Sequence, residues 1–294
     1  MFEKIEKCPV CENTDFKNKM ICEDYSISKE KFALQECSKC HFVFTSPRPD
    51  INNIGKYYDA ENYISHHDQK FNLFTMVYTW VRNINLRYKY KIIMSYKKSG
   101  CVLDYGCGTG SFLEFMKGKG WKTIGVEVND EARKECLKKN LDVFANLNNV
   151  NEKFDLITAW HVLEHVHDLN ETIHILNEKL KRKGIMIVAL PNHKSLDEQL
   201  YKEFWAGYDV PRHLYHFDTE TFKKLMLKHD LKVKEIKPLW FDAFYVSILS
   251  EKYKKGGSLL SALKNAYRSN VEAKRTGNYS SLIYIIKKKN EKKN

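Results

Sequence analysis

The stretch "VLDYGCGTGSF" (residues 102–112) sets three glycines within five positions directly behind an apolar run. It reads as a strand that bends sharply and opens a helix. That is the first unit of an open α/β sheet, in which ligands bind beyond the carboxyl ends of the strands. Missing side chains let a ligand approach the backbone, and amides at a helix N-terminus attract negative groups.

Which ligand the bend holds depends on its neighbours. The dinucleotide fingerprint needs G-x-G-x-x-G. Here the third glycine, Gly110, comes one position early and Ser111 stands in its place. An acid, Asp104, ends the strand before Gly106 and Gly108. A carboxylate there suits a ligand with an ammonium or sulfonium end better than a pyrophosphate. A second acid, Glu127, ends the next strand candidate, where it can accept hydrogen bonds from two ribose hydroxyls.

Strand and helix patterns alternate beyond residue 100. Strand candidates are "CVLDYG" (101–106), "KTIGVEV" (122–128), "LDVFA" (141–145), "FDLITAW" (154–160), "GIMIVALP" (184–191), "LKVKEIKPL" (231–239) and "SLIYIIKK" (281–288). Helical patterns such as "DEARKECLKKN" fill the gaps, which demands crossovers and a mostly parallel sheet covered on both faces. The expected fold is an α/β Rossmann-like seven-stranded sheet flanked by helices. A helical lead-in is expected over 50–100 and a helical insert, broken at Gly256-Gly257, over 240–280.

Four of the eight cysteines form two knuckles, "CPVC" (Cys8, Cys11) and "CSKC" (Cys37, Cys40). Two C-x-x-C turns bring four thiolates to one tetrahedral zinc. "KFALQEC" and "HFVFTSP" flank the second knuckle like the strands of a small zinc ribbon. The expected domains are a ribbon over 1–49, folded largely by its metal, and the large domain over 50–294. Cys22 is expected as a core thiol, His41 as a substitute ligand only if a cysteine fails, and Cys101, Cys107 and Cys136 as buried apolar residues.

A formal charge of +12 is compatible with an anionic partner, or with lysines spread over a solvated surface. The start, "MFEKIEKCPVC", has no apolar signal core, and no run approaches a membrane span, so the expected location is the cytoplasm.

The glycine bend with Asp104 and Glu127 resembles the "hhDxGxGxG" motif of class I S-adenosylmethionine-dependent methyltransferases. "FDLITAWHVLEHVHDL", "LPNHKS" and "DVPRHLYHF" (209–217) strengthen the likeness. With its knuckles the whole chain resembles bacterial methyltransferases that carry an N-terminal zinc ribbon and act on sugars or small metabolites. The resemblance implies a strand order of 3-2-1-4-5-7-6. It implies that Gly106, Gly108 and Gly110 cradle the methionine part of S-adenosylmethionine, with Asp104 at its ammonium and Glu127 at its ribose. Asn146 would touch adenine, Trp160 and His161 would flank the donor, and Tyr63 and Ser65 would reach its carboxylate. It also implies methylation of a small molecule or glycan, most readily at oxygen, in surface-polysaccharide or natural-product biosynthesis. RNA methylation and a non-enzymatic donor-binding scaffold are the alternatives.

Two clusters offer a proton acceptor. His161, Glu164 and His165 fall at i, i+3 and i+4, which on a helix would be one face. They also spell H-x-x-E-H, the zinc motif of inverted metalloproteases. Ubiquinone-type O-methyltransferases place Glu-x-x-Glu-His here, and His161 in the first position weakens that set for a hard divalent ion. The second cluster, "DVPRHLYHF", offers His213, Tyr215 and His216, with Arg212 available to pair with a carboxylate or phosphate. Trp205 and Tyr208 just before it suit a sugar face, a base stack or core packing.

Overall fold

The computed structural model describes residues 1–58 and 73–289. Tyr63 and Ser65 lie outside the described residues. The chain opens with β1 (Phe2–Glu3), β2 (Phe16–Glu23), β3 (Lys31–Cys37), β4 (Val43–Thr45) and β5 (Arg48–Pro49). After helix α1 (Leu73–Met94) follow β6 (Cys101–Tyr105), α2 (Ser111–Lys117), β7 (Lys122–Val126), α3 (Asp130–Lys138), β8 (Asp142–Phe144) and β9 (Phe154–Trp160). Then come α4 (Leu169–Lys179), β10 (Leu180–Pro191), α5 (Leu196–Tyr201), β11 (Tyr215–His216), α6 (Thr219–Lys228) and β12 (Leu231–Pro238). The chain ends on α7 (Asp242–Tyr253), α8 (Leu259–Thr276) and β13 (Ser281–Lys288).

Seven strands form one sheet in the order β12-β13-β10-β9-β6-β7-β8. Numbered from β6 as strand one, that is 3-2-1-4-5-7-6, as expected. The pairs of β6 with β7 and with β9 are parallel, and so is β7 with β8. Parallel strands need crossovers, and the helices supply them. Their ends follow local chemistry. Asn129 caps α3 by accepting from the Ala132 N–H, with Asp130 and Glu131 in the positive first turn. Asp218 and Thr221 close a reciprocal capping box on α6. The insert is two helices parted at Gly256, whose φ of 76° suits glycine.

By its contacts the chain falls into two compact units. One comprises Met1–Tyr58, His161–Asn170 and Ala189–Tyr284; the other comprises Asp59–Trp160, Glu171–Val188 and Ile285–Asn294. The expected boundary after residue 49 is therefore not where the contacts divide. The reason is packing. In the first unit, Cys22, Phe32, Leu34 and Val43 share one buried cluster with Tyr57, Tyr201, Trp205, Tyr208 and Val210. The sheet of β2, β3 and β4 also gains β11 as an edge partner. The ribbon draws its apolar core from chain far away in sequence. Trp205 and Tyr208 are accordingly core residues, their polar tips donating to Asp197 (2.7 Å) and Glu198 (2.6 Å). Cys22 is a buried thiol of this cluster, as expected.

Candidate active site

In the second unit, β6 delivers Asp104 and then turns through Gly106, Gly108 and Gly110, with φ of 71°, 54° and 77°. Residues with side chains rarely adopt these values. At Gly110 a side chain would be strained by the backbone, and its Cβ, 2.5 Å from Leu141 Cδ1 and 2.9 Å from Cys136 Sγ, would force those side chains to shift. The bend's own amides brace it, those of Gly106 and Cys107 donating to the Val126 carbonyl and that of Gly110 to the Cys107 carbonyl, so what the glycines leave open is side-chain space.

Two acids stand at adjacent strand ends. The Thr158 hydroxyl donates to Asp104 Oδ1 (2.6 Å) from the neighbouring strand, where the two residues are in register. Asp104 is 2% exposed. Burial pushes its carboxyl up to about 7, against the pull of the Thr158 hydrogen bond and Lys89, while Glu127 adds to the rise. A carboxyl so desolvated ionises readily only when a cation arrives. Glu127 Oε2 accepts from the Gly108 N–H (2.8 Å), and Oε1 accepts from the Asn129 N–H (2.9 Å). Each oxygen keeps a second lone pair for a ligand hydroxyl. Trp160, at the tip of β9, meets Phe112 edge to face and carries the Lys89 ammonium 4.1 Å from its ring centroid. Its indole Nε1 is buried and has no hydrogen-bond partner among the described residues. Asn146 caps a short turn after β8 by accepting from the Asn148 N–H. A cationic, hydroxylated ligand matches this set: a bare-backbone bend, two carboxylates and an unused buried donor.

In the first unit the histidines group differently from the helical reading. Leu163–His165 is a single 3-10 turn, and His161 precedes it in the left-handed region with φ of 57°. The expected common face of a helix does not exist. His161 instead bridges two acids, with Nδ1 3.5 Å from Glu164 Oε1 and Nε2 3.1 Å from Asp242 Oδ2. Burial opposes its charge, but Asp242 and Glu164 outweigh burial and lift it to about 9. Asp242, the first residue of α7, was not legible as a partner; only its place at a helix start hinted at more than a surface acid.

Glu164, His165 and His213 come together, with one potential ligand atom of each lying within 4.8 Å of the others. Glu164 is fully buried. Burial works against its charge, yet His161 and the more distant His213 hold it below the usual carboxylate range. Burial, reinforced by His213, pushes His165 down to about 4. The His213 ring meets His165 edge to face, with centroids 4.6 Å apart.

The rest of "DVPRHLYHF" is structural. Arg212 donates from Nε and Nη2 to Asp209 (3.0 and 2.7 Å), from Nη2 to Asp24 (3.0 Å) and from Nη1 to the Tyr57 carbonyl (2.9 Å). Its fork is spent on the fold, so it is not held out for an acidic substrate. The Tyr215 hydroxyl donates to the His167 carbonyl (2.8 Å), and the Arg48 guanidinium covers its ring at 5.0 Å. His216 Nε2 lies 3.0 Å from Thr45 Oγ1, which itself donates to the His213 carbonyl (2.9 Å). Burial drives His216 well below its ordinary range. Both residues belong to β11 and pair with β4, so the expected catalytic roles of Tyr215 and His216 give way to packing.

The four knuckle cysteines converge. Sγ atoms of Cys8 and Cys40, and of Cys11 and Cys37, are each 3.5 Å apart. A tetrahedral zinc–thiolate site places its sulfurs about 3.8 Å apart, given bonds of about 2.3 Å. The residue after each knuckle, Glu12 or His41, is left-handed, with φ of 63° and 64°. His41 serves that turn, and its exposed ring pairs with Glu36 at 3.0 Å.

Residues 78–236 match the family described as "Methyltransferase domain". Among curated proteins the chain is 36% identical over 101 residues to a ubiquinone biosynthesis O-methyltransferase of Bartonella tribocorum, covering 31% of this chain and 41% of the relative. It is 32% identical over 131 residues to an uncharacterized protein of Methanocaldococcus jannaschii, covering 43% and 56%. The chain thus spans about half the length of these relatives. Among solved structures it is similar to magnesium protoporphyrin IX methyltransferase of Synechocystis PCC 6803, with a TM-score of 0.54 at 13% identity. That likeness covers 81% of this chain and 99% of the other, and speaks for the fold. The strand order, the glycine bend and a family match over more than half of the sequence agree: the chain belongs to the methyltransferase-domain family.

Proposed function

We propose that the chain transfers a methyl group from S-adenosylmethionine to a hydroxyl of a small molecule or glycan, in surface-polysaccharide or natural-product biosynthesis. One observation carries this reading. Asp104 and Glu127 stand buried at the ends of adjacent parallel strands, beside a bend whose Gly106, Gly108 and Gly110 hold the left-handed conformation that side chains disfavour. Bound there, S-adenosylmethionine supplies an electrophilic methyl on a sulfonium. The protein's part is to hold, orient and deprotonate. Asp104 takes the ammonium, directly or through water, and is itself held ionised by it. Glu127 keeps its backbone partners and accepts from the ribose hydroxyls. Gly106, Gly108 and Gly110 leave room for the methionine chain. Trp160 ends β9 on the donor side; Asn146 reaches the adenine.

As the proton acceptor we assign the Glu164–His165–His213 cluster of the first unit, which presents acceptor atoms. Asp242 and His161 orient Glu164 there. An oxygen acceptor is favoured by the curated O-methyltransferase relatives. Zinc on Cys8, Cys11, Cys37 and Cys40 holds the N-terminal strands and takes no part in the chemistry, because four thiolates close its coordination.

Calorimetry with S-adenosylmethionine, its demethylated product and a dinucleotide tests the donor site. Binding of the first two only is expected. Glu127→Ala should weaken donor binding by about tenfold to a hundredfold, the loss of one or two hydrogen bonds to a charged acceptor. His213→Gln should leave donor binding intact and abolish turnover on an array of hydroxylated acceptors. Heat from the dinucleotide alone would refute the reading.

A further inference from the structure

We propose that Glu164, His165 and His213 bind a divalent transition-metal ion, separate from the four-cysteine site. The ligands would be the Glu164 carboxylate and the Nε2 atoms of the two histidines.

The tautomers argue for it first. His165 Nδ1 lies 3.0 Å from the Arg212 carbonyl oxygen, and His213 Nδ1 lies 2.9 Å from that of Gly207. A carbonyl only accepts, so both Nδ1 atoms carry the proton; each ring, when neutral, then presents its lone pair on Nε2, and that of His213 also has Asp209 Oδ2 4.0 Å away. Tyr58 Oη, 3.0 Å from His165 Nδ1, braces the same edge of the ring. Histidines that ligate metals are held in this way, through the nitrogen that does not face the ion.

Glu164 is the second observation. It is 0% exposed, and neither carboxylate oxygen has a hydrogen-bond partner among the described residues. The His161 ion pair, at 3.5 Å, is at the outer edge of hydrogen-bond distance and leaves the other oxygen unmet. With both imidazoles neutral, the buried carboxylate and the two nearby rings form a set of acceptors with no donor among them. Such a set is costly to bury unless a cation fills it.

The spacing suits an ion. Atoms bound at about 2.0–2.1 Å in a tetrahedron lie about 3.3–3.4 Å apart, and atoms 4.8 Å apart reach that by moving about 0.8 Å each. His161 is excluded from the set, because its left-handed backbone sends it to Asp242. The ligands are therefore not the consecutive H-x-x-E-H triplet. Two come from the 3-10 turn after β9 and one from the loop before β11. Two imidazoles and one carboxylate favour zinc or a neighbouring first-row ion over magnesium or calcium. Three protein ligands leave a position open for water or an acceptor oxygen; with the ion in place the cluster would act through it rather than as the base itself, the ion making that oxygen's proton easier to lose to solvent water. That role rests on the proposed methyl transfer; the binding itself does not.

The test is metal titration of the chelator-treated full chain with cobalt(II), then zinc. The four-cysteine site gives intense thiolate-to-cobalt absorption. A further equivalent that adds visible ligand-field bands but no thiolate absorption is expected, and His213→Gln should abolish it while sparing the thiolate signal. A wild-type chain whose cobalt spectrum is fully accounted for by thiolate ligation overturns the proposal. So does a further equivalent that survives in folded His213→Gln. Should that variant fail to fold, X-ray absorption of the zinc-loaded wild type decides: imidazole scattering supports the site, and sulfur alone refutes it.

Discussion

Replacing Asp104 by asparagine should stabilise the ligand-free protein while destroying its donor binding. The carboxyl is pushed up from 3.8 to about 7, with burial the leading cause. The sign follows from linkage. Below pH 4 both folded and unfolded states hold the proton, and the group contributes nothing to the pH dependence. Between about 4 and 7 the unfolded chain ionises first, so the native state binds more protons and stability falls as pH rises. Above 7 the loss is complete, at about 4 kcal/mol for three pKa units of 1.36 kcal/mol each. Asparagine keeps an oxygen for the Thr158 hydroxyl and never ionises. Urea unfolding of wild type and Asp104→Asn from pH 4 to pH 8 should therefore give curves that diverge, with the variant ahead by up to about 4 kcal/mol at the upper end. Donor added at pH 8 should restore much of the wild type's deficit, because an ammonium stabilises the carboxylate, and should do nothing for the variant. A stability difference independent of pH, or a variant weaker at pH 8, would refute the argument that Asp104 is held against its ionisation for a cationic ligand.

Three further outcomes are expected. Arg212→Met should cost about 3–5 kcal/mol in denaturant unfolding, because it strands the fully buried side chain of Asp24 without its cation; a change under 1 kcal/mol would mean that the Asp24–Arg212–Asp209 network is dispensable. His161 titrates at about 9, so its contribution to stability is full below about 6.5 and is lost as pH rises through 9. Asp242→Asn should move that loss to lower pH, and an unchanged profile by thermal melts between pH 6 and 10 would place the charge elsewhere. Removing zinc with a chelator should raise hydrogen exchange in β2, β3 and β4 and also in Tyr215–His216, since β11 pairs with β4; protection unchanged at β11 would show that strand to be independent of the metal.

The legible features were those that one segment of chain dictates. "VLDYGCGTGSF" fixes a strand, a bend and a helix within eleven residues, and two knuckles fix four sulfurs, because backbone sterics and C-x-x-C turns act locally. The alternation of strands and helices then limits the sheet to very few orders, and the observed one follows. What the sequence hid were pairings between distant segments. H-x-x-E-H reads as one helical face only while the chain there is helical, and a single left-handed residue, His161, breaks that assumption. Its ring then meets Asp242, about eighty positions away, while His165 meets His213, about fifty away. "DVPRHLYHF" looked like a reservoir of catalytic groups because its density of polar side chains is the same whether they face a substrate or one another. Burial separates the cases. Arg212 and Tyr215 end on partners within the fold, and His216 on Thr45, whereas both carboxylate oxygens of Glu164 find no hydrogen-bond partner among the described residues. A buried polar side chain with its partners satisfied explains a fold; one with an orphaned acceptor points to a ligand, and that is why the cluster around Glu164, rather than the longer motif, carries the argument for a metal ion.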